Sequence, residues 1–324
     1  MAGCDDLDKS VMEKIDVVAV VGPTACGKTK LSIELAKQLN GEIISADSIQ
    51  TYKEMNIGTA KPTKAEMSGV PHYLIDFLDI NDEFSVAEYV KLAKKCIFEV
   101  NARGKLPFIV GGTGLYVNSL LSNISFTEQK FDPTLREDLF LRLKNEGVES
   151  LIDELSEFDK ESAQKIHPHN VIRIIRAIEF YRMTGTTITQ HIKDSKKIIS
   201  PYNPIMFGLT YRNREILYDK INKRVDKMMD LGLADEAKKI LSSKCSKTAM
   251  NAICYKEFIP YFRNQCSLNE VVENLKRQTR RYAKRQLTWF KKDARINWIF
   301  VDDYINFKEI LNFCTKTIEK QKNM

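Results

Sequence analysis

The sequence predicts an α/β fold with a mostly parallel sheet that is interrupted mid-chain by a helical insertion. Short apolar runs rich in β-branched residues alternate with segments whose apolar residues recur at helical spacing, which is typical of parallel sheets covered by helices. A glycine-rich motif lies directly between the first apolar run and the first helical segment. From residue 132 to 192 the chain is charged, poor in glycine and without strand-like runs. We therefore expect a discontinuous core, residues 1–127 together with 199–324, and a helical insertion at residues 128–198.

The individual elements are predicted from periodicity and from the residues that begin and end them. Ser85, followed three residues later by Glu88, matches the pair that caps a helix start, and Gly104 ends that helix. Strands are expected at residues 16–21, 42–45, 72–76, 106–110, 205–209 and 297–301. Helices are expected at residues 31–39, 85–103, 213–245, 249–262 and 268–293, from Leu115 onward, and at the C-terminal end.

The composition excludes several classes of protein. Hydrophobic residues make up 43% of the 324 residues and charged residues 29%, which is ordinary for a soluble globular chain and unlike a disordered one. The 7 cysteines include no CxxC pair and no cluster with zinc-ligand spacing, so a reducing, cytoplasmic location is expected. No apolar run approaches the ~18 residues that span a bilayer, and the acidic N-terminus does not resemble a signal peptide. We expect no membrane association and no obligate protein partner.

The positive charge of the chain is concentrated in one segment. The net charge is +7, yet residues 276–295 alone carry +8, from nine basic residues and one acid. Arg277, Arg281 and Arg285 recur every four residues, so on a helix they share one face. Such a face can neutralise the phosphates of RNA, and a merely solvated helix face is the alternative. We predict an RNA-contacting helix in which Trp289 and Phe290 belong to the core.

The glycine-rich motif has the composition of a phosphate-binding loop. A predicted strand precedes it and a predicted helix follows, the context in which backbone N–H groups curl around phosphate oxygens. Its lysine would add a positive charge, and its last hydroxyl could be a ligand of Mg²⁺. The core is therefore expected to be P-loop NTPase-like. The loop consists of Gly22, Pro23, Thr24, Ala25, Cys26, Gly27, Lys28 and Thr29, the last being the expected Mg²⁺ ligand.

Two further segments follow predicted strands. Asp47 comes just after the second strand, and Thr113 lies in the glycine-rich turn Gly111–Gly114 after the fourth. Because ligands of parallel sheets bind at the carboxyl ends of the strands, both are candidates for a shared site. Asp47 is a candidate acid–base group or a turn cap, and Thr113 is a candidate hydrogen-bonding group or part of a tight turn. In a nucleotide kinase, Asp47 or Asp76 would instead be a ligand of Mg²⁺.

Nine stretches of the chain resemble one family, the bacterial-type tRNA dimethylallyltransferases, also called tRNA isopentenyltransferases. They extend from Gly22 to Phe290, so the resemblance covers nearly the whole chain. The most specific motifs are DSIQ at 47–50 and IGTAKP at 57–62, which belong to the single stretch 41–63, and YAKRQLTWF at 282–290. The others include GPTACGKT, GVPHYLIDFLD, FSVAEY, GKLPFIVGGTGLYV, VIRIIRAIEFYRMTG, INKRVDKMMDLGL and AMNAICYKE.

The resemblance implies a prenyl transfer to tRNA. A dimethylallyl group would pass from dimethylallyl diphosphate to N6 of the adenosine immediately 3′ of the anticodon, and pyrophosphate would leave, with Mg²⁺ as cofactor. The phosphate loop would then hold a diphosphate and not a nucleotide. Among the implied catalytic residues, Asp47 would be the general base on N6, Arg224 would clamp diphosphate and Thr113 would help to fix the adenine.

The resemblance also implies where tRNA binds. The anticodon stem-loop would contact both the insertion and the core, and the target adenosine would leave the base stack. With the basic segment included, the expected tRNA-binding residues are Asp47, Ser48, Ile49, Gln50, Thr113, Arg136, Ile172, Arg173, Ile174, Ile175, Arg176, Asn251, Tyr255, Lys256, Arg277, Arg281 and Arg285.

Three rival functions stay open at this stage. A free-adenylate isopentenyltransferase, which makes cytokinin, would share the phosphate loop and the carboxylate but has no use for a basic helix or an insertion. A nucleotide kinase would turn over ATP and need a carboxylate for Mg²⁺. A non-catalytic RNA-binding module would not need an intact phosphate loop.

The chain departs from the family pattern at a few positions. Cys26 stands where serine is more usual, Asn251 where glutamine is usual and Cys254 where glycine is usual. The N–H groups of the loop and the Lys28 charge favour a thiolate, so Cys26 is predicted to be the most reactive cysteine of the chain. The alternative is a thiol that points into the core beneath the loop and is inert.

Overall fold

The central sheet is parallel throughout. The computed structural model describes residues 14–124 and 132–322. Within them, six strands form one sheet in the order β3-β2-β4-β1-β5-β6, and each pairing is parallel, which confirms the predicted fold class. The strands are β1 (Ile15–Val21), β2 (Gly41–Ser45), β3 (His72–Tyr73), β4 (Leu106–Gly111), β5 (Tyr202–Thr210) and β6 (Ile296–Phe300).

Helices connect the strands and form the insertion. In the described residues they are α1 (Lys28–Gln38), α2 (Lys64–Met67), α3 (Val86–Ala102), α4 (Gly114–Leu121), α5 (Pro133–Glu146), α6 (Val148–Phe158), α7 (Lys160–Lys165), α8 (Val171–Thr184), α9 (Ile188–Lys197), α10 (Arg214–Asp230), α11 (Leu233–Ser242), α12 (Lys247–Met250), α13 (Ile253–Lys256), α14 (Ile259–Phe262), α15 (Leu268–Phe290) and α16 (Phe307–Lys322).

The central strand β1 explains where the loops of the sheet meet. Val17 to Val21 are all fully buried, as expected for an unbroken β-branched run in a sheet covered on both faces. Val21 is paired with Gly111 of β4, and Val110 of β4 with Ser45 of β2. The segments that begin at residues 22, 46 and 112 therefore leave the sheet side by side at the carboxyl ends of three adjacent strands.

Some elements differ from the sequence-based expectation. The third strand is only two residues long, because Leu74 and Asp76 adopt left-handed backbone conformations with φ of 57° and 56°. The helical region after β5 is split at Gly232, whose φ of 95° separates α10 from α11. The helix expected at 249–262 is instead a series of single turns, α12 to α14. The predicted cap of α3 is confirmed, since Ser85 and Glu88 each accept the other's backbone N–H.

The chain folds into two compact units. One consists of residues 1–121 and 201–324, and the other of residues 122–200. The second unit is helical where it is described and has its own apolar core, formed by Leu139, Leu151, Leu155, Ile174, Ile175, Ala177 and Ile178. Among the described residues, no helix is long and apolar enough to cross a bilayer.

Candidate active site

A cavity of about 380 Å³ lies at the carboxyl ends of β1, β2 and β4. It lies within the α/β unit, residues 1–121 and 201–324, and combines seven segments that are far apart in sequence. Its walls are Thr24, Lys28 and Thr29 of the phosphate loop, Asp47 to Gln50, Gly58 to Ala60, Val110 to Gly112, Arg224, Val225 and Met228 of α10, Asn251 to Lys256, and Thr279, Tyr282, Arg285 and Gln286 of α15.

A second, larger cavity of about 920 Å³ lies on the other side of the phosphate loop. Its walls include residues 56, 57 and 60–63, which flank the Gly58–Ala60 segment of the first cavity on both sides and share Ala60 with it. Five residues line both cavities, so the two spaces adjoin at these side chains: Lys28, Thr29, Ala60, Arg224 and Met228.

The phosphate loop has the backbone that its glycines predict. Gly22 has a φ of 140°, and a Cβ there would lie 2.4 Å from the Leu209 carbonyl oxygen. Gly27 immediately precedes α1 with a φ of 99°. Lys28 Nζ donates to the carbonyl oxygens of Gly22, at 3.0 Å, and Pro23, at 2.7 Å. The ammonium group thus lies over its own loop, where an incoming anion would meet it.

Cys26 does not have the environment that the sequence suggested. Its side chain is 1% exposed and belongs to the apolar core beneath the loop. Burial raises the pKa of the Cys26 thiol, and this outweighs the opposite effects of Lys28 and of backbone N–H groups. The prediction of an accessible, reactive thiolate is therefore wrong, because desolvation favours the neutral form.

Asp47 lies on the cavity wall in a local turn. Its Oδ1 accepts hydrogen bonds from the backbone N–H groups of Ile49, at 2.9 Å, and Gln50, at 3.2 Å. Both roles considered for it are thus compatible, since the turn fixes the carboxylate while the residue still faces the cavity. A carboxylate fixed in this way is preorganised for proton transfer to a ligand in the cavity.

The side chains of Thr113 and Gln50 form hydrogen bonds with backbone groups of the protein. Thr113 Oγ1 accepts from the Ser48 backbone N–H at 3.1 Å, and Thr113 is not among the described residues that line the cavity. Thr113 therefore stabilises the 47–50 turn through this hydrogen bond and does not line the cavity among the described residues. Gln50 lines the cavity, but its Nε2 donates to the carbonyl oxygens of Thr59 and Ala60, at 3.1 and 3.3 Å. Its amide is thereby held in one orientation.

Arg224, like Lys28, is a cation at the junction of the two cavities. Burial lowers the pKa of its guanidinium, although Cys254 and Asp47 act in the opposite direction. The group stays charged, since arginine does not lose its proton in proteins. In the described chain Arg224 makes no hydrogen bond or ion pair. Arg224 is half-buried, and a partly desolvated cation without a partner is unfavourable, so this arrangement favours an anionic ligand.

Two cavity residues on α15 were missed by sequence analysis. Gln286 is buried; its Oε1 accepts from the Thr24 N–H at 2.9 Å, and its Nε2 donates to the Gly112 carbonyl at 3.0 Å. It thus connects the two glycine loops. Tyr282 lies one turn earlier, and burial raises the pKa of its phenol. Both residues lie in YAKRQLTWF, where the neighbouring basic residues drew attention to RNA contact and away from the cavity.

The basic face of α15 extends from the cavity to the surface. Arg285 lines the cavity and lies over the Tyr282 ring, 5.6 Å from its centroid. Arg281 is exposed, and Arg277 is exposed with Nη2 donating to Asn274 Oδ1 at 2.8 Å. Phe290 is in the core, as predicted. The same prediction is wrong for Trp289, which is 38% exposed although one side of its indole lies against Gly114.

The other expected tRNA contacts of the α/β unit lie around α13. Asn251 and Lys256 are exposed and line the cavity. Tyr255 also lines it, but its side chain is fully buried and its hydroxyl donates to Glu236 at 2.8 Å. Cys254 lines the cavity as well, and burial raises the pKa of its thiol to about 11.

In the helical unit, some of the predicted tRNA-binding residues are exposed and others are buried. Ile174 and Ile175 are fully buried in its core, so the expectation that their side chains touch tRNA is wrong. Ile172, Arg173 and Arg176 are exposed on the same helix, α8. Arg136 donates through Nε and Nη2 to the buried Glu179, at 2.6 and 2.7 Å, and Arg176 lies 3.9 Å from the same carboxylate.

The donor set of the first cavity fits Mg²⁺ bound together with phosphates. Thr29 and Asp47 supply hard oxygen ligands to the same space, next to the phosphate loop. In residues 14–124 and 132–322 no group of three or more His, Cys, Asp or Glu side chains could hold a metal by itself. Mg²⁺ typically keeps several waters and binds one or two protein oxygens plus substrate phosphates, so this limited set is sufficient.

Comparison with known proteins gives a consistent result. The family described as IPP transferase matches residues 50–293. The tRNA dimethylallyltransferase of Thermoanaerobacter sp. (strain X514) is 50% identical over 299 residues, which cover 91% of this chain and 95% of that protein. The protein of the same name from Bacillus subtilis (strain 168) is 47% identical over 311 residues, covering 94% and 98%.

Solved structures share the fold. The full-length tRNA isopentenylpyrophosphate transferase from Bacillus halodurans aligns with a TM-score of 0.71 at 45% identity, covering 96% of this chain and 99% of that chain. A eukaryotic dimethylallyltransferase, described as acting on tRNA, aligns with a TM-score of 0.77 at 28% identity, covering 91% and 77%.

Proposed function

The chain belongs to the IPP transferase family, and from this premise we propose that it is a tRNA dimethylallyltransferase. It transfers a dimethylallyl group from dimethylallyl diphosphate to N6 of the adenosine immediately 3′ of the anticodon and releases pyrophosphate. Homologues about half identical over nearly the whole chain carry this activity in their names. The resemblance identified from sequence motifs is thereby confirmed.

One observation of the structure carries the residue assignment: one cavity is shared by a carboxylate, a phosphate loop and an arginine that has no partner among the described residues. An allylic diphosphate reacts with cationic character on carbon while negative charge develops on the departing oxygens. The N–H groups of the loop, Lys28 and Arg224 are the positive groups that stabilise those oxygens. When Mg²⁺ is bound through Thr29, it adds further positive charge to the leaving group.

Asp47 supports the other half of the reaction. The N6 amine of adenine is a poor nucleophile because its lone pair is delocalised into the ring, so removal of its proton as the C–N bond forms lowers the barrier. Asp47 is held by its own turn on the wall of the same cavity as the phosphate loop. We assign the base role to this carboxylate, with the target base extruded from the stack to reach it.

The exposed basic side chains support tRNA as the acceptor. Arg277, Arg281 and Arg285 form a continuous face that reaches the cavity, and Asn251 and Lys256 lie at the same cavity. Arg173 and Arg176 on α8 are further candidates for phosphate contacts. A tRNA substrate and unpaired thiols both fit a cytoplasmic location, which we propose for the chain.

Acceptor choice tests this function against its rivals. Purified protein is incubated with labelled dimethylallyl diphosphate, Mg²⁺ and, in separate reactions, unmodified tRNA, AMP or ATP. Label is expected in tRNA alone and, after nuclease digestion, in the nucleoside 3′ of the anticodon. Label in AMP would support a free-adenylate enzyme. Turnover of ATP without label transfer would support a kinase, and tRNA binding without transfer would support a binding module.

A further inference from the structure

The segment of residues 56–60 lines both cavities, and a side chain that lines neither of them holds it in place. Gly58 to Ala60 line the first cavity, and Asn56, Ile57 and Ala60 line the second. The segment is a compact turn, in which the Ala60 N–H donates to the Ile57 carbonyl at 2.9 Å. The three consecutive N–H groups of residues 56, 57 and 58 point away from this turn and converge on one point.

That point is the carboxylate of Glu236 on α11. Its Oε2 accepts from the N–H groups of Asn56, at 3.0 Å, and Ile57, at 2.9 Å. Its Oε1 accepts from the Gly58 N–H at 2.8 Å and from the Tyr255 hydroxyl at 2.8 Å. Three successive backbone N–H groups around an anion form a nest, and hydrogen bonds to a charged acceptor are about twice as strong as neutral ones.

Glu236 also connects this turn to Tyr255. The tyrosine ring packs directly on Gly58, where a Cβ would lie 2.8 Å from the ring Cζ. On the far side of the turn, the carbonyl oxygens of Thr59 and Ala60 accept from Gln50 Nε2. The position of the Gln50 amide beside Asp47 therefore depends on the turn, and the turn depends on the Glu236 carboxylate. Glu236 itself lines neither cavity in the described chain.

We propose that Glu236 is a positioning residue for the transfer reaction, which sets the acceptor-nucleoside side of the cavity by holding the turn 56–60 and, through it, Gln50. The inference rests on the proposed function. Since the phosphate loop is anchored separately, through Gln286 and Gly22, the loss of Glu236 should affect the tRNA acceptor more than the diphosphate donor.

The test compares Glu236→Gln with Glu270→Gln. Glu270 accepts the N–H and hydroxyl of Ser267 at the start of α15 and lines neither cavity, so its variant loses a similar structural carboxylate. In Glu236→Gln the new amide can donate to the Tyr255 hydroxyl but cannot accept from the Gly58 N–H. Amide hydrogen exchange at residues 56–58 should therefore accelerate by about 10-fold in this variant and stay unchanged in the control.

The kinetic result decides the proposal. Glu236→Gln is expected to raise the KM for tRNA by about 10-fold, to leave the KM for dimethylallyl diphosphate within about threefold, and to lower kcat less than kcat/KM for tRNA. Tyr255→Phe, a milder change, should move the same quantities in the same direction. The proposal would be overturned if Glu236→Gln kept wild-type kinetics despite faster amide exchange. It would also be overturned if the KM values for tRNA and dimethylallyl diphosphate changed by the same factor, or if Glu270→Gln gave the same kinetic changes as Glu236→Gln. A wild-type protein without transfer activity would refute the proposed function instead.

Discussion

The two units differ in how their predicted functional residues are used. In the α/β unit, Asp47, the phosphate loop and Arg224 are brought to one cavity, and Arg224 is left without a partner among the described residues. In the helical unit, Arg136 is paired with the buried Glu179, and Ile174 and Ile175 form the core. A cation without a protein partner can bind a substrate, whereas a cation in a buried ion pair mainly holds a fold together.

Asp47→Asn should give the largest loss. The variant keeps the size of the side chain and an oxygen for the turn, but it cannot accept a proton, so turnover should fall by ~10²–10⁴. Affinity for tRNA should stay within a few-fold. Single-turnover transfer and filter binding measure the two quantities, and normal turnover with lost binding would make Asp47 a binding residue.

Arg224→Met should have opposite effects on catalysis and on stability. Without this cation the developing charge on pyrophosphate is less stabilised, and kcat/KM for dimethylallyl diphosphate should fall by ~10²–10³. Because the half-buried cation has no partner in the described chain, its removal should raise Tm slightly. Thermal scans with and without pyrophosphate check this; a lower Tm of the free variant would show that Arg224 has a structural partner.

Arg136→Gln and Arg173→Gln should separate fold from RNA binding in the helical unit. Among the described residues, Arg136→Gln leaves the buried Glu179 carboxylate with the more distant Arg176 as its remaining ion-pair partner, at a cost on the order of 3 kcal/mol in the free energy of unfolding. Arg173 is exposed, so its variant should keep stability and lose a few-fold in tRNA affinity. Urea denaturation and binding titrations distinguish them. Weaker binding without destabilisation in Arg136→Gln would assign Arg136 to the RNA surface.

Replacing Arg277, Arg281 and Arg285 together by Gln should weaken binding of all tRNAs. If all three neutralise phosphates, the slope of log affinity against log salt should flatten by ~2–3 units. Lys308→Gln and Lys316→Gln, on α16, serve as charge controls. An unchanged slope in the triple variant would mean that this face of α15 is only solvated.

Cys26 should give the smallest effect. Its thiol is buried and its pKa is raised, so iodoacetamide should label it slowly and equally with and without pyrophosphate. Partly exposed Cys266 serves as the internal reference. Peptide mapping by mass spectrometry measures both rates, and protection of Cys26 by pyrophosphate would mean that the thiol reaches the loop surface.

Features that depend on local chemistry could be predicted from the amino-acid sequence alone. A β-branched run followed by G-x-x-x-x-G-K-T predicts a buried strand and a phosphate loop. The loop forms because Gly22 and Gly27 adopt backbone conformations that other residues avoid. The cap of α3 and the parallel sheet follow from similar short-range rules. On α8, by contrast, the five consecutive residues 172–176 were predicted to bind RNA. Because successive side chains of a helix point in different directions, two of them, Ile174 and Ile175, face the core.

The side chains that support the site, by contrast, are identified by contacts between residues far apart in the sequence. Gln286 accepts from Thr24 across 262 residues of sequence, and Glu236 holds a turn about 180 residues away. No local pattern encodes such contacts, because the same glutamine or glutamate on an isolated helix would simply be solvated. Burial of Cys26 is likewise a property of the packed core and not of its loop. Hydrogen bonds and desolvation act over a few ångströms in space, whatever the distance along the chain, so only the folded chain shows which groups they join.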